Sequence, residues 1–96
     1  MTLQTWLSDH RSRLLDELLD FIRAPSVSTD PSYAEGIAAA AEILRARLER
    51  IGMRDLQLLD GGGHKAVYGA WLGAPGTPTL VVYGHYDVQP PDPVEL

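Results

Sequence analysis

The chain has 96 residues, 45% of them apolar, and a net charge of −5. That length suits one small domain with a modest core, and the acidic balance argues against a nucleic-acid partner, whose phosphates need clustered Lys and Arg. No cysteine is present, which removes disulfides, thiolate zinc sites and a cysteine nucleophile, and fits a reducing, cytoplasmic setting.

The opening "MTLQTWLSDHRSRLL" interrupts its apolar residues with Asp9, His10, Arg11 and Arg13. It therefore reads as neither a signal peptide nor a membrane span. Leu3, Trp6, Leu7, Leu14, Leu18 and Ile22 recur in steps of three and four, so residues 3–24 are expected to form one amphipathic helix. His10 falls on its stripe and reads as a structural, half-buried side chain. Pro25 ends the helix by removing a donor and restricting the residue before it. In "PSVSTDP", Ser26 and Ser28 lack the turn that exposes a serine nucleophile, and read as turn and cap residues.

A second helix follows. Ser32-x-x-Glu35 has capping-box form behind Pro31. Ile37, Ala40, Ala41, Leu44, Leu48 and Ile51 supply the buried face, and Gly52 the stop. Gly36 in the first turn costs about 1 kcal/mol against alanine, and the sequence offers no reason for it.

Beyond Gly52 the pattern becomes that of strands. "DLQLL" (55–59), "AVYGAWL" (66–72) and "TLVVYGH" (79–85) are expected strands, and the short connectors "DGGGHK" and "GAPGTP" favour antiparallel neighbours. The third is apolar at consecutive positions, which predicts a central strand covered on both faces. The expected fold class is α/β: two helices, then a three-strand piece of a mixed sheet, the first part of a larger α/β domain.

Several motifs compete for chemistry. Gly61-Gly62-Gly63-His64-Lys65-Ala66 formally matches a dinucleotide-binding glycine run, but "AVYGAWLG" behind it is strand-forming and opens no helix for a pyrophosphate. A hairpin connector is the better reading. Lys65 lacks the spacing of a phosphate loop. Pro90-Pro91-Asp92-Pro93 has PxxP form without a basic anchor, and reads as a stiff loop. His85 and Asp87 are different. Two apart on an extended segment, their side chains share a side, so Asp87 can hold one imidazole nitrogen and leave the other for a metal. Gly84 removes bulk beside them. The bare pair is a weak motif; its position after a buried strand, where α/β sheets place their sites, gives it weight.

With these residues, "YGHYDVQPPDPVEL", "FIRAPSVSTDP" and "AAEILRARLERIGM" together resemble the N-terminal part of the zinc-dependent exopeptidases. That family comprises carnosine-type dipeptidases, glutamate carboxypeptidases, aminoacylases and succinyl-diaminopimelate desuccinylases, and "HYDVQP" looks most like its dipeptidase branch. The resemblance covers the whole chain, 1–96, as the N-terminal portion of a catalytic domain. It implies His85 as a ligand to one of two zinc ions, and Asp87 as the catalytic-site carboxylate that orients it. It also implies a metal-bridging water as nucleophile, a dipeptide or N-acyl amino acid as substrate, and a homodimer formed through a lid domain. The family's general base and other ligands match nothing before Leu96: Glu35 and Glu42 sit on a solvated helix and Glu95 in the exit loop. Tyr86 and Gln89 line the loop without an assigned role. One histidine cannot hold zinc tightly, so the 96 residues alone are expected to be inactive. The alternative is a non-catalytic interaction module that keeps the fold.

Overall fold

The computed structural model describes residues 1–91. Asp92, Pro93 and Glu95, on which the expected exit loop falls, lie outside the described residues. The order is α1 (Leu3–Asp9), α2 (Arg11–Ile22), a 3-10 turn (Pro31–Tyr33), α3 (Ala34–Arg50), β1 (Arg54–Leu59) and β2 (Ala66–Ala70).

The expected first helix is two. Its break is His10, where φ is −107° and ψ 7°. The His10 backbone N–H and its ring Nδ1–H both donate to the Trp6 carbonyl, at 3.1 and 2.7 Å, and the ring stacks on Trp6 with centroids 4.2 Å apart. A side chain that bonds the preceding turn competes with the helical ladder there. The stripe beyond the break is only partly covered: Leu14 and Phe21 are half-buried, whereas Leu15, Leu18, Leu19 and Ile22 are exposed. Polar contacts tie α2 to α3, as Arg47 Nη1 donates to the Glu17 carbonyl and Arg50 Nη2 to the Glu17 carboxylate, each at 2.7 Å.

The start of α3 also departs from the capping-box expectation. Asp30, not Ser32, is the capping side chain, and it caps the 3-10 turn ahead of the helix: its Oδ1 accepts the Ser32 N–H at 2.9 Å and the Ser32 hydroxyl at 2.8 Å, whereas α3 itself has Tyr33 at its N-cap with no side-chain bond. Those two donors hold the Asp30 carboxyl below its usual range. Ser32's hydroxyl is thereby spent as a donor, Pro31 opens the 3-10 turn, and α3 begins only at Ala34. The far end follows expectation. Gly52 takes φ +100°, Gly52 N–H donates to the Glu49 carbonyl and Met53 N–H to the Leu48 carbonyl, both at 3.0 Å. This is the six-to-one and five-to-two pairing of a Schellman stop.

β1 and β2 form an antiparallel hairpin, with Leu58 opposite Val67 and Leu59 opposite Ala66. The glycine run 61–63 is its connector. The register slips by one between Arg54 and Gln57, where Asp55 adopts φ 54°. One form of β-bulge places a residue in the left-handed region, and Asp is among the few non-glycine residues that tolerate it. α3 packs on both strands.

The buried core is small: Val27, Ile37, Ala40 and Ala41, with Ser26 beside them. Gly36 now has its reason. A Cβ there would stand 1.9 Å from the Pro25 carbonyl oxygen, so only glycine lets residues 25–28 press onto α3.

The third strand is the main correction. The sheet has two strands, not three: Leu80, Val81, Val82 and Tyr83 are 85–92% exposed and pair with nothing among the described residues. The apolar run encodes burial on both faces. Among the described residues, one hairpin and three helices supply no layer over it, and strand propensity does not make a ladder without a partner. The radius of gyration, 16.1 Å, accordingly exceeds the roughly 12–13 Å of a compact domain this long.

Two outcomes test this account. Gly36→Ala, which helix propensity alone favours by about 1 kcal/mol, is expected to destabilise the chain by about 1–3 kcal/mol through overpacking, read from urea denaturation. Amides of Leu80–Tyr83 are expected to exchange with deuterium far faster than those of β1; protection equal to β1 would contradict the unpaired arrangement.

Candidate functional site

His85 and Asp87 follow the unpaired run, and what holds them comes from the other end of the chain. Val27 and Val88 form a single parallel bridge, in which Val88 N–H donates to the Ser26 carbonyl at 2.9 Å. Val27 is buried, so this bridge fixes the backbone of residues 86–88 to the core.

The two side chains meet as the sequence suggested. His85 Nδ1 lies 2.9 Å from Asp87 Oδ1. An ionised carboxylate only accepts, so Nδ1 carries the proton and Nε2 of the neutral ring keeps its lone pair. The His85 side chain is 78% exposed, which leaves Nε2 accessible. The pair lies on a cavity of about 370 Å³, whose wall also includes Ser28, Ile37, His64 and Tyr83.

Sequence reasoning missed Ser28. Its Oγ–H donates to Asp87 Oδ2 at 2.6 Å, across 59 residues of chain, so both carboxylate oxygens are occupied. These hydrogen bonds, Ser28's first and then His85's, hold the Asp87 carboxyl below the usual range. Asp87 is therefore anionic throughout the neutral range. A serine in a loop after a helix carries no long-range signature, and its turn reading was the only one the sequence supported.

His64 and Tyr86 close the surround. His64 Nε2–H donates to the Ser28 carbonyl at 3.2 Å, and Tyr86 Oη–H donates to the Lys65 carbonyl at 2.5 Å. The first bond ties the β1–β2 connector to Ser28 and the second ties it to the His85 loop, which gives Tyr86 the role the sequence left blank. Burial raises the Tyr86 phenol above its usual value, with a further push from the Asp87 charge. Glu35 and Glu42 stay on the exposed side of α3. Gln89 is exposed and has no assigned contact.

The donor chemistry fits one metal ligand. His85 offers a free nitrogen with a carboxylate behind it, the arrangement found at metal-bound histidines. A complete centre is another matter: among the described residues, no three His, Asp or Glu side chains gather, whereas catalytic zinc takes three protein ligands.

Comparison with characterised proteins supplies the context. The chain is 30% identical to a Cys-Gly metallodipeptidase of Candida albicans over 88% of its own length. It is 36% identical to a succinyl-diaminopimelate desuccinylase of Xylella fastidiosa over the same share. It is similar to dipeptidases and desuccinylases. A cysteinylglycine-S-conjugate dipeptidase of Corynebacterium striatum, 29% identical over 94% of the chain, extends the group. The chain spans about a fifth of the length of these relatives. No family model matches it, and no solved structure does. No helix among the described residues is long and apolar enough to cross a membrane.

Tyr86→Phe tests the surround. Losing one hydrogen bond to a backbone carbonyl is expected to cost about 1 kcal/mol, with the largest amide shift changes at Lys65 and Ala66. Changes confined to residue 86 would mean that the phenol does not hold the connector.

Proposed function

We propose that residues 1–96 are the N-terminal portion of the catalytic domain of a zinc-dependent exopeptidase of the dipeptidase type. The observation that carries the reading is the His85–Asp87 pair beside a cavity, with one imidazole nitrogen held by a carboxylate and the other left accessible. The names of the dipeptidase and desuccinylase relatives support the same class of amide hydrolysis, on a dipeptide or an N-acyl amino acid.

In this reading His85 gives one ligand to a two-zinc centre, and the remaining ligands and the general base come from chain beyond Leu96. The bound metals would supply Lewis acidity toward the amide carbonyl and a water acidified for attack. The chain's own residues prepare one corner of that centre. Asp87 fixes the imidazole tautomer and the ring's orientation. Ser28 and the Val27–Val88 bridge fix Asp87. Tyr86 and His64 hold the connector that forms the opposite wall. A cytoplasmic, homodimeric parent, dimerising through a lid domain, completes the proposal.

The test is hydrolysis of Cys-Gly and of N-succinyl-diaminopimelate by the full product of the gene that carries this sequence, with zinc. His85→Ala is expected to lower kcat/KM by about 100-fold or more, given the 10–100-fold cost of losing even an outer partner of a metal ligand. Full activity of that variant, or of the chelator-stripped protein, would sink the reading. Absence of hydrolysis together with absence of zinc binding would favour the non-catalytic module instead. For the 96 residues alone, calorimetry is expected to show no sub-micromolar zinc site.

A further inference from the structure

Asp87 could hold His85 with one oxygen and leave the other to water, since its side chain is 41% exposed. A carboxylate held at one oxygen rocks about its last torsion, which is broad and weakly restrained. In this chain the second oxygen is not left to water. It takes the Ser28 hydroxyl at 2.6 Å, within the short range of O–H···O⁻ bonds. The backbone behind that hydroxyl is itself fixed. Ser26 and Val27 are buried, the Ser26 carbonyl receives Val88 N–H, and the Ser28 carbonyl receives His64 Nε2–H.

We propose that Ser28 is a positioning residue, whose hydroxyl locks the plane of the Asp87 carboxylate so that His85 is kept in its Nδ1–H tautomer with Nε2 open toward a divalent cation. The metal half of this proposal rests on the exopeptidase reading; the orientation half stands on the geometry alone. A merely structural role for the hydroxyl, stapling residues 28 and 87 together, is already filled by the backbone. The Ser26–Val88 hydrogen bond and the Val27–Val88 bridge attach the two segments without it. Deleting the hydroxyl should therefore leave the chain folded and disturb the imidazole.

The experiment uses ¹⁵N chemical shifts of the His85 ring in the 96-residue chain, at one fixed pH about two units above the ordinary histidine pKa. In the wild-type chain Nδ1 is expected to carry the proton. In Ser28→Ala the Nδ1–H population is expected to fall, with the Ser26 and Val88 amide shifts preserved, and Ser28→Thr, which keeps a hydroxyl, is expected to restore it. Zinc alone, followed through the same ring signals, is expected to bind about tenfold more weakly to Ser28→Ala than to wild type, as for loss of an outer partner. A ring tautomer unchanged in Ser28→Ala overturns the proposal while leaving the exopeptidase reading intact. If the alanine variant unfolds, the threonine variant decides: restoration of the wild-type tautomer supports the proposal, and its failure in a folded chain overturns it. If the tautomer shifts as expected but zinc leaves the His85 ring signals of the wild-type chain unmoved, Ser28 keeps its positioning role and the metal reading falls.

Discussion

Four residues, Pro25 to Ser28, join the helical half of the chain to the half that carries His85. Pro25 rests its carbonyl against the notch at Gly36. Ser26 and Val27 are buried and receive the backbone of Val88, and Ser28 holds Asp87. Each of these contacts depends on the one before it. If residues 25–28 stood away from α3, Val27 would leave the core, the bridge to Val88 would open, and Asp87 would lose its hydroxyl. The aim of an exposed imidazole is thus set by the close approach of two backbones on the far side of a small core.

The energetics agree with that dependence. Among the described residues four apolar side chains are buried, two of them alanines, and complete burial of even a large one contributes only about 1.5–3 kcal/mol. The surface ion pairs on the helices, such as Arg45 with Glu42 and Glu49, add on the order of 0–1 kcal/mol each. With so little from burial, the directional bonds at residues 26–28, 64 and 86–88 decide which arrangement of the loops is adopted. They are few, and they converge on one place.

What was legible in the sequence was what local chemistry controls. The α3 stripe as far as Leu48, its glycine stop and the hairpin across the glycine run were readable, because periodicity and turn residues act over a few positions; Ile51, expected on the same buried face, is 70% exposed, because the helix has ended there. The side-by-side placement of His85 and Asp87 was readable for the same reason. The misses are long-range. The clash that demands Gly36 comes from a carbonyl eleven positions earlier in the chain, and Ser28 meets Asp87 across 59 residues. His10 broke the first helix through a bond that its periodicity could not show. The third strand failed in the opposite way. Its pattern described an environment, burial on both faces, that the described residues do not provide.

That unpaired run has a consequence for handling the protein. Thr79 to Gly84 contains no charge, is rich in β-branched and aromatic residues, and has open backbone donors and acceptors, which is the composition of a self-templating segment. Pro78 on one side and Pro90 on the other bound the stretch over which another chain could add. Loss of the free chain to fibrous material should therefore begin at this sextet and grow with concentration, and a single lysine placed within it should delay the process without touching residues 25–28.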